Sequence, residues 1–496
     1  MARLYDLRKS LFIAIICLLI CYLPLIDVRY YFLDDMGRAM VGFGYTYTGR
    51  PLVDILLSAL TQGLPFNDVS PAPQLLGVVA LALAATLLGD CFGIRSSGWI
   101  AVFALTMAGN PYFLENMSFR FDSGFMALGL LCAVTPFWLA RSAPSLPVVS
   151  SAVLLFASLC LYQPTINCYP VIALFLTAQS LAHRPMVSAL VFALRCMAPL
   201  VLAVLAYRLL WTMVPASYIP YYVAHGDFAP LSSALHTGAT NFAQYAVVIT
   251  RDWGSTGLGV LWAATGVGSA ILLAGRIARA SGRSWKAKLG VAAMAVALLA
   301  LMAPAAFLAQ IFLVHPVFAS RTFTGVVMVT AVIAATLITA GSGLAGRLAK
   351  ISVVFQAIAL LGVNYAYANA LRAQERFDDR VTAAIVDDIL EVAPSGEAST
   401  FAISGWTGRS PLSEAAVARY PAIQRLVFSV IHQDSYWAEM RFRIFGLRVT
   451  PASLSPAEKM TIICNTEPRK RNGRYDLYLI NHTALIRFKN DGVSCP

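Results

Sequence analysis

Two adjacent carboxylates, Asp34 and Asp35, stand among aromatic residues in Tyr30-Tyr31-Phe32-Leu33-Asp34-Asp35-Met36-Gly37-Arg38, a run that continues to Gly49-Arg50-Pro51. Neighbouring acids repel each other unless something uses them. One use is structural: Asp34 caps a short helix and pairs with Arg38 four residues on. The other is chemical, a general base beside a carboxylate that orients it or the substrate. A second cluster, Asn110-Pro111-Tyr112-Phe113-Leu114-Glu115-Asn116-Met117-Ser118-Phe119-Arg120-Phe121-Asp122, sets two acids and an arginine among rings. Carboxylates beside aromatic faces suit a sugar, although an interfacial aromatic belt explains the rings equally well. A third, His315-Pro316-Val317-Phe318-Ala319-Ser320-Arg321-Thr322-Phe323, offers Arg321 either to lipid headgroups or, as a guanidinium fork, to a phosphate. In Tyr162-Gln163-Pro164-Thr165-Ile166-Asn167, Gln163 and Asn167 reach a polar substrate or are plain turn residues. Arg195 and Arg208 fall inside an apolar stretch, near enough to its ends to snorkel.

The elements that carry these residues are apolar. Of 496 residues, 58% are hydrophobic and 12% charged, and the mean hydropathy is +0.68. Soluble domains are nearer half apolar and a quarter charged, so a polytopic membrane protein is expected. About eleven stretches have the apolarity of a span, near 10–27, 74–90, 98–110, 123–140, 147–162, 166–182, 187–213, 255–274, 289–313, 322–341 and 351–369. Arg8-Lys9 precede the first of them, but Asp27-Val28-Arg29-Tyr30 follows instead of a small-residue cleavage site, so it is a helix and no signal peptide. The net charge of +12, from 37 Lys and Arg against 25 Asp and Glu, gathers in segments such as 276–288 and 347–350. The positive-inside rule then puts the N-terminus in the cytoplasm, the four clusters outside, and no nucleic acid among the partners. Residues 1–369 form the membrane domain. Residues 370–496 hold 16 basic and 14 acidic side chains and no span-length run. An amphipathic helix at 381–393 and strands at 401–404, 460–464 and 477–480 predict a small α/β domain on the exterior, periplasmic side. Only Cys464 and Cys495 lie there, where an oxidising compartment permits a disulfide. One GxGxxG match, Gly341 to Gly346, follows an apolar stretch instead of a strand and reads as a loop.

In their order and shared side, the four clusters resemble the serotype-converting (Gtr-type) glucosyltransferases, bacterial enzymes that modify O-antigen with glucose. The resemblance covers roughly residues 30–370. It implies an all-α GT-C fold in the inner (cytoplasmic) membrane, with the active site at the exterior face. It also implies a polyprenyl-phosphate-glucose donor, a surface polysaccharide or lipid-linked glycan acceptor, contact with membrane lipid, and an essential acid in the first exterior loop. Asp34 and Asp35 match that loop, and either can be the base. Arg321, with Arg120, Arg50 and His315, is then placed to bind the donor phosphate. Glu115, Asp122, Gln163, Tyr162 and Asn116 are placed to hold sugar and acceptor hydroxyls. No cofactor is required, and a divalent metal is compatible with the acids without being indicated. The competing classes are a lipid-linked glycan flippase or transporter and an O-antigen polymerase or ligase. A flippase calls for charges along a midplane path, whereas the acids here fall almost entirely in exterior loops.

Overall fold

The computed structural model describes residues 2–142, 147–214, 228–282, 284–394, 398–433 and 435–495. Each of the eleven apolar stretches lies on a helix, but their lengths differ. Six helices are long and apolar enough to cross a membrane: Asp6–Ile26, Ala72–Cys91, Met186–Thr212, Gly257–Ala280, Trp285–Ala305 and Leu344–Val392. Pro51–Thr61, Ser97–Ala108, Ser123–Leu139, Val148–Leu161 and Thr324–Ile338 are shorter apolar helices, and Cys168–Ser180 has 13 residues. Breakers such as Asn110-Pro111, Pro147 and Gln163-Pro164 end these helices before they reach the roughly 20 residues a bilayer core requires. Apolarity identified the stretches, and six of the helices that carry them have the length of a span.

Of the short helices, Ser97–Ala108, Ser123–Leu139, Cys168–Ser180 and Thr324–Ile338 bury most of their residues, whereas Pro51–Thr61 and Val148–Leu161 keep an exposed face. Ser123–Leu139 lies along Ala72–Cys91, where a Cβ at Gly124 would come 2.4 Å from the Pro73 carbonyl oxygen. Only glycine permits that approach, in the manner of small residues at membrane helix contacts. Of the GxGxxG match, Gly341 to Gly343 lies in the loop after Thr324–Ile338, with no strand before it, and Leu344 to Gly346 begins the next helix.

Leu344–Val392 runs for 49 residues. At 1.5 Å per residue that is about 73 Å, more than twice the roughly 30 Å of a bilayer core. Its second half therefore leaves the apolar layer and becomes the spine of the sheet region. Val381, Ile385, Val386 and Ile389 are buried in one core with Phe401, Ile403, Leu477 and Ile486. The expected domain border at 369/370 thus falls within one continuous helix, and the amphipathic helix expected at 381–393 is its last turns.

Five strands complete this region: β1 (Thr400–Ser404), β2 (Thr450–Pro451), β3 (Lys470–Arg471), β4 (Tyr475–Ile480) and β5 (Thr483–Phe488), in the order β2-β1-β5-β4-β3. β1 runs parallel to both neighbours, Phe401 opposite Ala484. β4 and β5 form a hairpin whose turn residues, Asn481 and His482, both have positive φ, as a primed turn requires. The strand expected at 460–464 is instead part of the helix Pro456–Asn465. Its Met-Thr-Ile-Ile composition favours a strand, but Ser455 and Glu458 form a capping box ahead of it and Pro456 opens it. Cys464 and Cys495 are joined by a disulfide, with Cα atoms 5.3 Å apart.

Substituting Ser455 with Ala should weaken that cap by about 1 kcal/mol, roughly a fivefold change in the opening equilibrium. Hydrogen exchange across residues 456–465 should speed up accordingly, with Ser455→Thr close to wild type. Unchanged exchange in Ser455→Ala would show that the helix does not depend on the box.

Candidate active site

The two acids follow directly on one strained backbone position. Leu33 has φ 48° and ψ −110°, a conformation that costs a branched residue about 1–3 kcal/mol. The helix Asp34–Val41 starts immediately after it, with both acids in the first turn, where the helix dipole favours negative charge. Asp35 points inward and is fully buried. Its Oδ2 accepts hydrogen bonds from the backbone N–H groups of Arg120 (2.7 Å) and Phe32 (3.3 Å). Asp34 points outward with 44% of its side chain exposed, 3.8 Å from Arg38 Nη1. Its Oδ1 accepts from Trp437 Nε1 at 3.4 Å. Burial, reinforced by the charge of Asp122, pushes the Asp35 carboxyl well above the usual carboxylate range, against the pull of the Arg120 N–H and of Arg38. Gly42 closes the helix at φ +68°, where a Cβ would lie 2.4 Å from that of Pro65.

Arg38 is the residue that sequence reasoning missed. It is 1% exposed, and its guanidinium lies 3.8 Å from the centroid of the Tyr45 ring. Among the described residues none of its three nitrogens has a hydrogen-bond partner, nor do Asp35 Oδ1, Asp122 Oδ1 or the Tyr45 hydroxyl. A buried charge without hydrogen bonds is costly, and here the compensation is electrostatic. Tyr45, Asp122, Asp34 and Asp35 all act on it. Its four-residue spacing from Asp34 was visible in the sequence, but such spacing reads as a surface pair.

Arg50, Arg120 and Arg321 each pair with an acid distant in sequence. Arg50 Nη1 donates to Asp122 Oδ2 at 2.6 Å. Arg120 donates to Asp68 Oδ2 and to the Arg29 carbonyl, both at 2.6 Å, above the Tyr31 ring. Arg321 pairs with Glu115 Oε1 through its side chain and with Oε2 through its backbone N–H at 2.8 Å. The Arg321 carbonyl accepts from the Tyr162 hydroxyl at 3.0 Å and from Asn116 Nδ2 at 3.4 Å. Gln163 Nε2 braces the first loop, reaching the carbonyls of Thr48 (3.0 Å) and Gly49 (3.1 Å). Asn167 is buried and donates to Gln310 Oε1 at 3.4 Å. His315 is exposed on the segment before Arg321.

The geometry therefore brings the four clusters together. It also assigns Glu115, Asp122 and Gln163 to contacts within the protein. The rings of the second cluster, read as facing a sugar, are turned inward: Tyr112, Phe113, Phe119 and Phe121 are all buried. Tyr112 stacks on Phe323 with centroids 4.9 Å apart and donates to Asp252 Oδ2 at 3.0 Å. Among the paired arginines, Arg321 is the most open, with 29% of its side chain exposed against 13% for Arg120 and 11% for Arg50. Its charge interacts with those of Glu115 and Asp34. The accessible chemistry is thus one carboxylate and one guanidinium within electrostatic reach of each other.

The raised Asp35 carboxyl has a defined signature. The folded chain keeps a proton that the unfolded chain releases, so stability declines as pH rises from the usual carboxylate range. Asp35→Asn removes this titration. The thermal midpoint should fall with increasing pH more steeply in the wild type than in the variant, and parallel profiles would contradict a buried neutral acid.

The sequence profile of a family described as Glucosyl transferase GtrII matches residues 23–332, from the first long helix through Arg321. The chain is also 24% identical over 483 residues to a Salmonella phage P22 protein named "uncharacterized 55.3 kDa protein in gtrB 5′ region", covering 94% of this chain and 95% of that one. A helical bundle that gathers its acids and arginines at one place, under a profile match across more than half its length, belongs to the GtrII glucosyltransferase family.

Proposed function

We propose that the chain moves glucose from a polyprenyl-phosphate-glucose donor to a hydroxyl of a surface glycan such as O-antigen, with Asp34 as general base. One observation carries this reading: the half-exposed Asp34 carboxylate interacts electrostatically with the part-buried Arg321 guanidinium, which Glu115 holds in place. In a single inverting displacement the acceptor oxygen bonds to C1 of glucose, and the bond from C1 to the phosphate oxygen breaks. The acceptor proton passes to Asp34, and polyprenyl phosphate departs with the bonding electrons. Such a leaving group needs little acid help. What it needs is a cation for the charge that develops on it, and Arg321 supplies one held in place by Glu115. Asp35, anchored to two backbone N–H groups, fixes the turn from which Asp34 projects.

Placement at the periplasmic face of the inner membrane follows from the basic segments at 276–288 and 347–350, which favour the cytoplasm. The disulfide between Cys464 and Cys495 agrees, since such bonds persist in oxidising compartments.

The test is incubation of purified protein with labelled polyprenyl-phosphate-glucose and lipopolysaccharide, with and without chelator. Transfer lost on chelation would add a divalent metal to the mechanism. Asp34→Asn should lower transfer by about 10²–10⁴-fold, the usual contribution of a general base, with the thermal midpoint unchanged. Normal transfer by that variant would remove Asp34 from the chemistry. Arg321→Ala should raise the KM for the donor and leave that for the acceptor, whereas an equal rise in both would assign Arg321 to scaffolding.

A further inference from the structure

Two aromatic residues beside the exposed carboxylate come from the far end of the chain. The helix Tyr436–Ile444 packs against Asp34–Val41. Its entry is fixed by Ser435, whose side chain accepts from the Ala438 N–H at 3.3 Å. Met36, one residue after Asp35, is buried in the core that holds Ala438, Met440 and Phe442. The two helices are therefore parts of one packed unit, and the rings at the start of the second have a fixed position beside Asp34. Trp437 is half-buried and gives its indole N–H to Asp34 Oδ1. Tyr436 is 54% exposed, and the charge of Asp34 acts on its phenol. Arg443, one turn further on, is paired with Glu439 at 2.7 Å.

An exposed ring next to an indole donor and a carboxylate has the chemistry of a neutral pyranose site. Sugar C–H groups pack on the ring face while hydroxyls meet the polar groups. The two arginines on this helix, Arg441 and Arg443, are paired with Asp379 and Glu439. The donor phosphate is matched by Arg321, which lies on a different element, the turn Ser320–Thr322. We propose that Tyr436 and Trp437 form the acceptor subsite: the exposed Tyr436 ring takes the face of an acceptor pyranose, and Trp437 holds the Asp34 carboxylate toward its hydroxyl. This rests on the transferase reading above. It assigns to the sheet region the part of the reaction that residues 23–332 leave open.

The test uses the full-length protein in detergent. Saturation-transfer NMR with methyl glucopyranoside, galactopyranoside and rhamnopyranoside as probes should show contact at ring-face C–H protons. That contact should be lost in Tyr436→Ala and kept in Tyr436→Phe. In transfer assays with polyprenyl-phosphate-glucose and lipopolysaccharide, Tyr436→Ala should raise the acceptor KM about tenfold, the equivalent of about 1.4 kcal/mol, and leave the donor KM alone. Trp437→Phe, which keeps a ring and removes the N–H, should lower kcat more than it raises either KM. An unchanged acceptor KM, or a rise confined to the donor, overturns the subsite while the transferase reading stands. Probe contact dependent on Tyr436 without any glucose transfer by the wild type supports the pyranose site and overturns the transferase reading. Neither contact nor transfer overturns both. Tyr436 is exposed, so its Ala variant should fold, and an unchanged thermal midpoint confirms it.

Discussion

Two carboxylates on consecutive residues cannot share one environment without strong repulsion, and the structure divides them. Leu33 accepts an unfavourable backbone conformation, and the helix that follows sends Asp35 inward and Asp34 out. Much of the site depends on this division. Asp35 takes its shortest hydrogen bond from the backbone of Arg120, so the second cluster must stand at the first. The Arg120 side chain then reaches Asp68 and the Arg29 carbonyl, closing the loop around Tyr31. One turn along the helix Arg38 supplies the counter-charge, buried against Tyr45. Such buried ion pairs are weak evidence for stability, because desolvation offsets their attraction. What they provide here is geometry: removing either partner strands the other, so the loops have one arrangement in which every charge is answered.

The site's ingredients were legible in the sequence because each cluster paired a chain breaker with polar residues amid apolar ones. Asn110-Pro111 and Gln163-Pro164 mark helix ends, and residues at ends on one side of a bundle meet. Which residues pair could not be read. Glu115 and Arg321 are 206 positions apart, and nothing local distinguishes that partner from Arg120, only five residues away. Burial was equally hidden. The spacing of Asp34 and Arg38 is that of a surface pair, and the rings from Tyr112 to Phe121 have the composition of an interface belt. The rings are interior because the helix 111–118 is enclosed, every residue of it buried, and of the Asp34–Arg38 pair only Arg38 is buried.

The fold shows the same division between local and distant information. Apolar composition located the helices, since it follows from what must be kept from water. It could not count the spans, because a helix wrapped by others is as apolar as one that crosses alone. In the helix 456–465 the conflict was local: β-branched residues favoured a strand, and a capping box with proline decided for a helix. Capping outweighed composition because it satisfies N–H groups that a strand at this place would have to pair elsewhere.

The 49-residue helix explains why the sheet region cannot be treated as an appendage. It carries one packed core out of the apolar bundle, and that core includes Met36 of the acid helix. Phe32 packs edge-on against both Phe119 and Phe428, with centroids 5.0 and 5.3 Å away. Arg425 donates to Asp252 Oδ2 at 2.6 Å and stands over Phe323, two residues from Arg321. Contacts made within residues 23–332, such as Arg321 with Glu115, are thus joined at the candidate site by contacts from beyond them, such as Trp437 with Asp34. In the reaction proposed above, stabilising charge on a departing phosphate is the same task whatever receives the sugar, and it would fall to side chains locked in ion pairs, where substitution is costly. Contact with a neutral glycan would fall to the ring of Tyr436 on the Tyr436–Ile444 helix, where a side chain can change without stranding a charge. The two demands are separated along the chain and joined in space at Asp34.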